Sequence, residues 1–494
     1  MSSHLLGLDV GTTGVTACLL DQELRVVESV QQEFPQHFPQ PGWVEHDGEE
    51  LLATVDAVLA ELLAPLSASD YPRAMGLTNQ RETVFALDRK TLRPLGRGIV
   101  WQDRRTEERC AELRAAGRGE WIHQRTGLLL DPYFSATKIQ WMCEQDAQLR
   151  DRARRGEVAF GTVDSLVLAH LSGSPQWLSD PTNASRTMLF NLESRAWDPE
   201  LCELFGVELG SLAEIRPSRS DFGVAQASCM QGRKLPILGV AGDQQAALFG
   251  QGCLGAGDLK STFGTGCFLL LNTGGERVQS GAGLLTTIAL GEAGQPVYAL
   301  EGSVFVAGAL VQWLRDNLGL IETSAEIEGL ARGVPDSAGV FVIPAFAGLG
   351  APYWDAEARG ALLGLTRGST RAHIARAALE AIAFQNVELV EALRKETGLP
   401  ILELRADGGV VANDLFMQMQ ADLAGLRTQR AQSVEATVRG AAALAGLGLG
   451  LWKSSLEAGF YGDPLQSFEP LMESQERLRR LGEWRQAVSR VRSR

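Results

Sequence analysis

Two short hairpins rich in glycine and threonine, half a chain apart, constrain the fold of this 494-residue sequence more than any other feature. In the first, residues 4–20, an apolar run leads through Asp9 into the turn GTTG and out into a second apolar run. In the second, residues 259–271, apolar runs flank the turn GTG. A strand, a tight turn and a strand are typical of a β-hairpin. Because the pattern restarts near residue 250, we predict two lobes of related build.

Helical and strand patterns alternate after the first hairpin. Residues 47–66 carry apolar side chains at helical spacing, with acids in the first turn. Residues 73–78 and 83–87 have the pattern of two strands around a polar stretch. This alternation predicts an α/β protein. We place the N-terminal lobe at residues 1–250 and the C-terminal lobe at residues 251–494.

Composition excludes several classes of protein. A formal net charge of -14 argues against a nucleic-acid surface, which needs a basic face. The seven cysteines are odd in number and contain no CxxC spacing, so we expect no disulfide framework or zinc site and a cytoplasmic, reducing environment. Asp9 comes too early for a signal peptide. The uncharged run over residues 337–354 contains prolines and glycines, so we expect no membrane span.

The familiar nucleotide-binding motifs are absent from the sequence. It contains no Gly-Lys pair for a Walker A loop, no GxGxxG and no GxSxG. The backbone N–H groups and hydroxyls of Thr12, Thr13 and Gly14 could instead cradle phosphate oxygens, and Asp9 could hold Mg²⁺ through water. The turn at residues 264–266 offers the same donors. Each turn taken alone fits a plain β-turn equally well.

Five polar or aromatic residues are candidates for substrate chemistry. Asp243 stands between an apolar strand and an apolar helix, where it could cap the helix or accept the proton of a substrate hydroxyl. Arg81 and Glu82 pair a bidentate donor with an acceptor, which suits adjacent hydroxyls of a polyol but also a solvated hairpin tip. Trp101 and Tyr133 fit either a core or a pocket wall.

Longer strings extend these candidates. These strings are PGWVEHD at 41–47, GLTNQRET at 76–83, DPYFS at 131–135, TNASRTMLFN at 182–191, AGDQQAALFGQ at 241–251, FGTGCF at 263–268 and GLGAPYW at 348–354. Together they resemble the glycerol kinases of the FGGY carbohydrate-kinase family over about residues 9–446. Residues 133–141 and 360–380 also match the two family patterns.

The resemblance implies two ribonuclease-H-like lobes of the sugar kinase and actin superfamily, with the active site in the cleft between them. It implies phosphorylation of glycerol by ATP and Mg²⁺ to sn-glycerol 3-phosphate, with Asp243 as the base, in a cytoplasmic homodimer or homotetramer. The positions implied for glycerol are Arg81, Glu82, Trp101, Tyr133, Asp243, Gln244 and Phe268. Those implied for the nucleotide and its phosphates are Thr12, Thr13, Gly14, Thr265, Gly266, Gly308, Gln312, Gly409 and Asn413. Those implied for Mg²⁺ are Asp9 and Asp243.

The sequence departs from the family pattern in four respects. Gly14 stands where a serine is expected, and Thr16 where a basic residue often falls, so we expect weaker phosphate contacts. Residues 226–236 lack the glycines of the loop through which some bacterial relatives bind a sugar bisphosphate. No histidine occurs between His170 and His373 for control by phosphorylation. We therefore expect neither control in its usual form.

Two other functions stay open. A kinase of the same family acting on another polyol or a ketose would share the fold and the base, and a panel of substrates separates it. A non-catalytic nucleotide-binding sensor would bind ATP without turnover. Asp9 and Asp243 argue against the sensor, because a pure binder needs no proton acceptor.

Overall fold

The computed structural model describes residues 4–173, 176–346, 348–355, 357–431, 435–455, 457 and 466–493. The strands of the described residues are β1 Leu5–Val10, β2 Gly14–Leu20, β3 Val26–Glu33, β4 Glu45–His46, β5 Met75–Asn79, β6 Val84–Asp88, β7 Gly98–Ile99, β8 Val158–Thr162, β9 Leu178–Ser179, β10 Phe190–Asn191, β11 Ala196–Trp197, β12 Glu214–Ile215, β13 Val224–Ala225, β14 Leu235–Gly242, β15 Leu259–Phe263, β16 Cys267–Gly274, β17 Leu285–Leu290, β18 Pro296–Val304, β19 Phe341–Ile343, β20 Ala361–Leu363, β21 Glu403–Asp407, β22 Arg427–Arg430 and β23 Gln466–Phe468.

The α-helices of the described residues are α1 Gly48–Leu63, α2 Glu107–Ala115, α3 Arg118–Thr126, α4 Ser135–Gln145, α5 Ala147–Arg154, α6 Val163–Ser172, α7 Pro181–Ala184, α8 Pro199–Phe205, α9 Asp243–Gly250, α10 Gly308–Asp316, α11 Glu326–Arg332, α12 Arg371–Thr397, α13 Asp414–Ala424, α14 Ala436–Gly448 and α15 Ser474–Ser489. Short 3-10 helices cover Leu209–Ser211, Ser228–Met230 and Gly409–Ala412. In the part of the chain described, no helix is both long and apolar enough to cross a membrane.

The chain folds into two compact units. The first unit comprises Met1–Leu254, Thr286–Tyr298 and Glu435–Gly462. The second unit comprises Gly255–Leu285, Ala299–Val434 and Asp463–Arg494. Two segments that follow residue 250 in the sequence thus belong to the first unit.

The first unit is built on a mixed sheet of strand order β13-β14-β5-β1-β2-β3. Strands β1, β5 and β14 are parallel, and Thr78 of β5 pairs with Asp9 on one side and Ala241 on the other. Helix α14 packs on these three strands. A Cβ at Gly76 would lie 1.9 Å from the carbonyl oxygen of Ala441, so only glycine allows this close approach of helix and sheet.

Helix α1 covers the same sheet through its apolar face. Asp47 caps the helix by accepting hydrogen bonds from the N–H groups of Glu49 and Glu50. Leu51, Leu52, Val55, Leu59 and other apolar residues at helical spacing are buried. The helix predicted over residues 47–66 is therefore confirmed, with ends within a few residues of those expected.

The second unit repeats the central arrangement of the first. Strands β15 and β16 form an antiparallel hairpin, and β21 lies parallel to β15 on its other side. In the first unit, β1 and β2 form the hairpin and β5 is the parallel neighbour. The 27-residue helix α12 buries its apolar side chains in the core of the second unit. The predicted recurrence of one hairpin-based build is thus confirmed.

The strands predicted around residues 80–83 form, but they do not make a hairpin. β5 belongs to the six-stranded sheet of the first unit, whereas β6 belongs to a separate antiparallel sheet of order β4-β7-β6-β8. Arg81 and Glu82, in the connection, are each only 2% exposed. The solvated hairpin tip considered for them is therefore wrong, because a connection between two sheets is enclosed by both.

Candidate active site

The predicted residues of the first unit gather at one edge of its sheet. The parallel strands β1, β5 and β14 end in register, so the segments that follow them start side by side. These segments are the first Gly/Thr hairpin, residues 80–83 and the turn at Asp243. The carboxyl ends of parallel strands in open α/β sheets are where ligands bind. The strand pairing therefore brings together residues that are up to 230 positions apart in the sequence.

The first hairpin is held by side chains from neighbouring segments. The Gly11 N–H donates to the carbonyl oxygen of Gly14 at 3.0 Å and closes the turn. Gln80 Nε2 donates to the carbonyl oxygen of Gly11 at 3.0 Å, and Trp101 Nε1 donates to Thr12 Oγ1 at 2.9 Å. Thr13 is exposed at the tip. The turn is the predicted hairpin, and its part in phosphate binding stays a prediction.

Gly14 and Thr16, two of the departures from the family pattern, lie on strand β2. A Cβ at Gly14 would come within 2.6 Å of the carbonyl oxygen of Gln32, so a serine there would require the backbone to shift. Thr16 is the cross-strand partner of Asp9. A basic side chain at this position would face the Asp9 carboxylate, and threonine offers no such charge.

Asp243 is the first residue of α9 and is not its cap residue, so the capping role considered for it is wrong. The cap residue is Gly242, whose N–H donates to Thr182 Oγ1 at 2.8 Å. Asp243 Oδ1 accepts the N–H of Gln244 at 2.6 Å and lies 3.2 Å from Arg81 Nε. The side chain is 30% exposed, so one face of the carboxylate is held while the rest is accessible.

A buried charge network surrounds Glu82. Arg186 Nε donates to Glu82 Oε1 at 2.7 Å, and Arg81 Nε lies 3.6 Å from the same oxygen. Arg81 Nη1 also donates to Gln245 Oε1 at 3.3 Å. Arg186 is 0% exposed. Charges buried to this degree are tolerated only when paired and hydrogen-bonded, so the three side chains form one interdependent cluster.

Two aromatic rings adjoin this cluster. Trp101 and Tyr133 pack edge to face with ring centroids 5.4 Å apart, a favoured aromatic geometry. The Arg186 guanidinium lies 5.7 Å from the Tyr133 ring centroid, within the range of a cation–π contact. Tyr133 and Trp101 are half-buried. They thus form a wall rather than a core, which favours the second of the two predictions made for them.

Asp9 fits a magnesium-organising carboxylate. Its Oδ1 is buried and has no hydrogen-bond partner among the described residues, and the same holds for Thr78 Oγ1 opposite it in the register. Burial raises the pKa of Asp9 well above its usual range, and the carboxylates of Asp243 and Glu435 raise it further. A cation would relieve this repulsion. Among the described residues no group of three or more His, Cys, Asp or Glu side chains is placed to hold a metal ion. Mg²⁺ usually keeps several waters and is bound through one or two carboxylates together with substrate phosphates.

The second hairpin, in the second unit, is held by backbone groups. The Ala307 N–H donates to the carbonyl oxygen of Thr265 at 2.8 Å, and the Gly308 N–H donates to that of Gly264 at 2.9 Å. A Cβ at Gly308 would lie 2.7 Å from the Gly264 oxygen. Glycine at 308 is therefore required by the fit between helix α10 and the turn. Thr265 is exposed, and Gly266 follows it into β16.

Other nucleotide candidates of the second unit differ in their surroundings. Gly409 is exposed, and a Cβ there would meet no atom within 4 Å in the part of the chain described. Asn413 Oδ1 accepts the Phe416 N–H at 2.8 Å and caps α13, so it has a structural role of its own. Gln312 is exposed on α10, and Phe268 is half-buried on β16.

Several residues of the site escaped sequence reasoning. Arg186 lies in the string TNASRTMLFN, where it is the one charge among small, polar and apolar residues, and that was the available signal. Asp180, buried at the start of α7, accepts hydrogen bonds from Thr182, Asn183 and Ser218 and so fixes the turn beneath Gly242. No spacing rule links such residues to Asp243.

The chain is similar to several known kinases in sequence and in structure. The family models described as FGGY family of carbohydrate kinases match with the N-terminal domain over residues 4–250 and the C-terminal domain over residues 259–449. A glycerol kinase of Aromatoleum aromaticum is 51% identical over 493 residues, 99% of each chain. One of Deinococcus radiodurans is 49% identical over 496 residues, 100% of this chain and 98% of that one. The crystal structure of Plasmodium falciparum glycerol kinase with ADP has a TM-score of 0.93 and 35% identity, covering 99% of this chain and 98% of that chain.

Proposed function

The chain belongs to the FGGY family of carbohydrate kinases, and from this premise we propose that it is a glycerol kinase that transfers the γ-phosphate of ATP to glycerol, yielding sn-glycerol 3-phosphate. Its two α/β units are the ribonuclease-H-like build of that family. The observation that carries the proposal is the accessible Asp243 carboxylate held beside the buried Arg81–Glu82 pair. Full-length identity near 50% to glycerol kinases supports glycerol as the substrate.

Asp243 is the base of the proposed reaction. Arg81 and the N–H of Gln244 fix the direction of its carboxylate. In a loose phosphoryl-transfer transition state, such a carboxylate mainly aims the attacking hydroxyl and takes its proton as the bond to phosphorus forms. The proton moves from the glycerol oxygen to Asp243, and the leaving oxygen is that of ADP.

Glycerol recognition in this proposal comes from buried groups that would lose hydrogen bonds with a ligand lacking hydroxyls. Arg81, Glu82, Tyr133 and Gln244 would hold the hydroxyls, while Trp101 and Phe268 would pack against the carbon chain. Since Arg81 and Glu82 are buried, a ligand lacking hydroxyls would leave part of their hydrogen-bonding capacity unused, and such sites discriminate strongly.

ATP and Mg²⁺ are the proposed co-substrate and cofactor. We assign glycerol and the first phosphate hairpin to residues 1–250, and the nucleotide to residues 251–494. Mg²⁺ held by Asp9 and Asp243 would neutralise charge on the phosphates when bound. The phosphates would be bound by Thr12, Thr13, Gly14, Thr265 and Gly266. The rest of the nucleotide would be bound by Gly308, Gln312, Gly409 and Asn413.

We also propose a cytoplasmic location and a homodimeric or homotetrameric assembly. The location is supported by the seven cysteines, which are buried and form no disulfide bond in the part of the chain described, as in proteins of reducing compartments. The assembly rests on the family resemblance alone. Sedimentation of the purified protein at several concentrations would test it.

A panel of acceptors tests the proposed function. Purified protein with ATP and Mg²⁺ is assayed on glycerol, erythritol and a pentulose, with ADP release as the readout. We expect rapid turnover on glycerol and a lower kcat/KM on the others, because their carbon chains are longer than that of glycerol. Activity on another acceptor alone would replace the substrate. ATP binding without turnover on any acceptor would contradict the kinase function.

A further inference from the structure

Lys138 is a buried lysine that the proposed reaction does not use. It lies on α4 and is 0% exposed. Its Nζ reaches back past the start of the helix and donates to the carbonyl oxygen of Tyr133 at 3.1 Å. Phe134, the cap residue of α4, supplies no side-chain cap. The lysine thus ties down the chain at Tyr133, where the chain enters the helix.

The same short segment also holds Glu82. Ser135 Oγ, one turn before Lys138, donates to the carbonyl oxygen of Glu82 at 2.9 Å. The start of α4 therefore fixes the backbone of Glu82 through Ser135 and that of Tyr133 through Lys138. Both Glu82 and Tyr133 are proposed to hold glycerol hydroxyls. A shift of this segment would move both groups together.

Among the described residues, the ammonium of Lys138 forms no ion pair with a carboxylate. It faces Asp103, Glu82 and Asp131, with Arg104 adding a like charge. Each of these carboxylates is hydrogen-bonded to an arginine, namely Asp103 to Arg105, Glu82 to Arg186 and Asp131 to Arg104. Within the described residues, the hydrogen bond of Lys138 is the one to Tyr133. Burial lowers the pKa of Lys138 to about 7, although the three carboxylates act in the opposite direction.

A buried lysine with a single hydrogen bond is a poor way to stabilise a helix. Lysine is rarely fully buried, and apolar residues of similar volume often stabilise a protein as well as a buried charge does. The hydrogen bond from Lys138 is therefore better explained as a means of holding Tyr133 in place than as a means of stabilising α4.

We propose that Lys138 is a positioning residue for glycerol: by holding the Tyr133 carbonyl, it keeps the Tyr133 side chain against Trp101 and beside Glu82. The proposal rests on the function proposed above. Charged lysine is the stronger donor, since charge-assisted hydrogen bonds are roughly twice as strong as neutral ones. Glycerol affinity will therefore fall as pH rises through neutrality and Lys138 loses its proton.

The test compares wild type with Lys138→Met, Lys138→Arg and a matched control, Lys395→Met, which changes an exposed lysine on helix α12. KM and kcat for glycerol are measured from about pH 6 to about pH 9. This range lies on both sides of the lowered pKa of Lys138 and below the pKa of an ordinary lysine. Melting temperatures are recorded for all four proteins.

For Lys138→Met, we expect KM for glycerol to rise about ten- to a hundredfold at pH 6, with kcat within about twofold, as the loss of one charge-assisted hydrogen bond predicts. Wild-type KM should rise toward the Lys138→Met value as pH rises. The KM of Lys138→Met should change less with pH than the wild-type KM does. Lys138→Arg, which keeps its charge, should hold KM low across the range. Lys395→Met should match wild type, and Lys138→Met should melt no lower than wild type.

Three results would overturn the proposal. The first is a folded Lys138→Met with the wild-type KM and pH profile. The second is a Lys138→Met that melts at lower temperature and loses kcat and ATP affinity in parallel, because that indicates a purely structural role. The third is a wild-type protein that turns over no glycerol at any pH, and only this result would also remove the proposed function.

Discussion

The two hairpins have similar turns built from glycine and threonine, but they differ in the groups that hold them. Side chains of Gln80 and Trp101 donate to the first hairpin, whereas backbone N–H groups at the start of α10 donate to the second. The strand before the first carries Asp9 two residues ahead of the turn, and the equivalent position before the second is Thr262. The hairpin motif therefore specifies a donor-rich turn, and its surroundings determine the chemistry.

The difference extends to the rest of each unit. In the first unit, the candidate residues belong to a network of buried charges, Arg81, Glu82 and Arg186, around an accessible Asp243. In the second unit, several candidates are glycines. Gly308 packs closely against the backbone of Gly264, whereas a Cβ at Gly409 would meet no atom of the described residues within 4 Å. We infer that the first unit provides the polar chemistry and the second provides a surface shaped by its backbone. Substitutions should affect the two units in different ways.

The largest effect is expected from breaking the charge network. Arg186→Met leaves Glu82 buried without its 2.7 Å partner, and breaking a buried pair costs about 3–5 kcal/mol of unfolding free energy. Urea unfolding measures the loss. Arg114→Met, which removes an exposed ion pair on α2, is the control and should change stability by less than about 1 kcal/mol. An Arg186→Met protein as stable as wild type would show that the network is not interdependent.

A smaller effect is expected from adding one methyl group in the second unit. Gly308→Ala places a Cβ 2.7 Å from the Gly264 oxygen and should destabilise by about 1–3 kcal/mol. Gly409→Ala places its Cβ in open space and should leave stability within about 0.5 kcal/mol while raising KM for ATP. Thermal unfolding and ATP titration separate the two variants. Equal stability losses would mean that backbone fit does not distinguish these positions.

The smallest effect is expected at the side-chain support of the first hairpin. Trp101→Phe removes the 2.9 Å hydrogen bond to Thr12 and keeps an aromatic ring, so it should cost about 0.5–1.5 kcal/mol. If the hairpin binds phosphates, KM for ATP should rise a few-fold along with KM for glycerol. A change in KM for glycerol alone would indicate that Thr12 does not depend on Trp101.

Local patterns in the sequence predicted local structure well. The two hairpins, helix α1 and strands β5 and β6 form where apolar spacing and turn residues place them, because these signals act within a few residues. The burial of Arg81 and Glu82 was not predictable, since it depends on β5 and β6 joining different sheets. The return of residues 286–298 and 435–462 to the first unit depends on contacts far apart in the sequence.

The candidate site was predicted unevenly for the same reason. Asp9, Asp243 and the Arg81–Glu82 pair stood out because each lies beside a predicted strand, next to a Gly/Thr turn, a helix start or a second strand. Lys138 and Arg186 did not, because one lies on a helix and the other between short elements. Nothing in their spacing shows which buried carboxylates they face. Their place beside Tyr133 and Glu82 emerges only from the folded chain.

The central claim is that Asp243 is the base of an ATP-dependent glycerol kinase. The most direct test measures kcat for glycerol phosphorylation by wild type and Asp243→Asn, together with glycerol binding by calorimetry, and uses Asp336→Asn at an exposed turn as the control. We predict a loss of about 10²- to 10⁴-fold in kcat, the usual contribution of a general base, for a folded Asp243→Asn protein that still binds glycerol. Turnover by Asp243→Asn within a few-fold of wild type would contradict the claim.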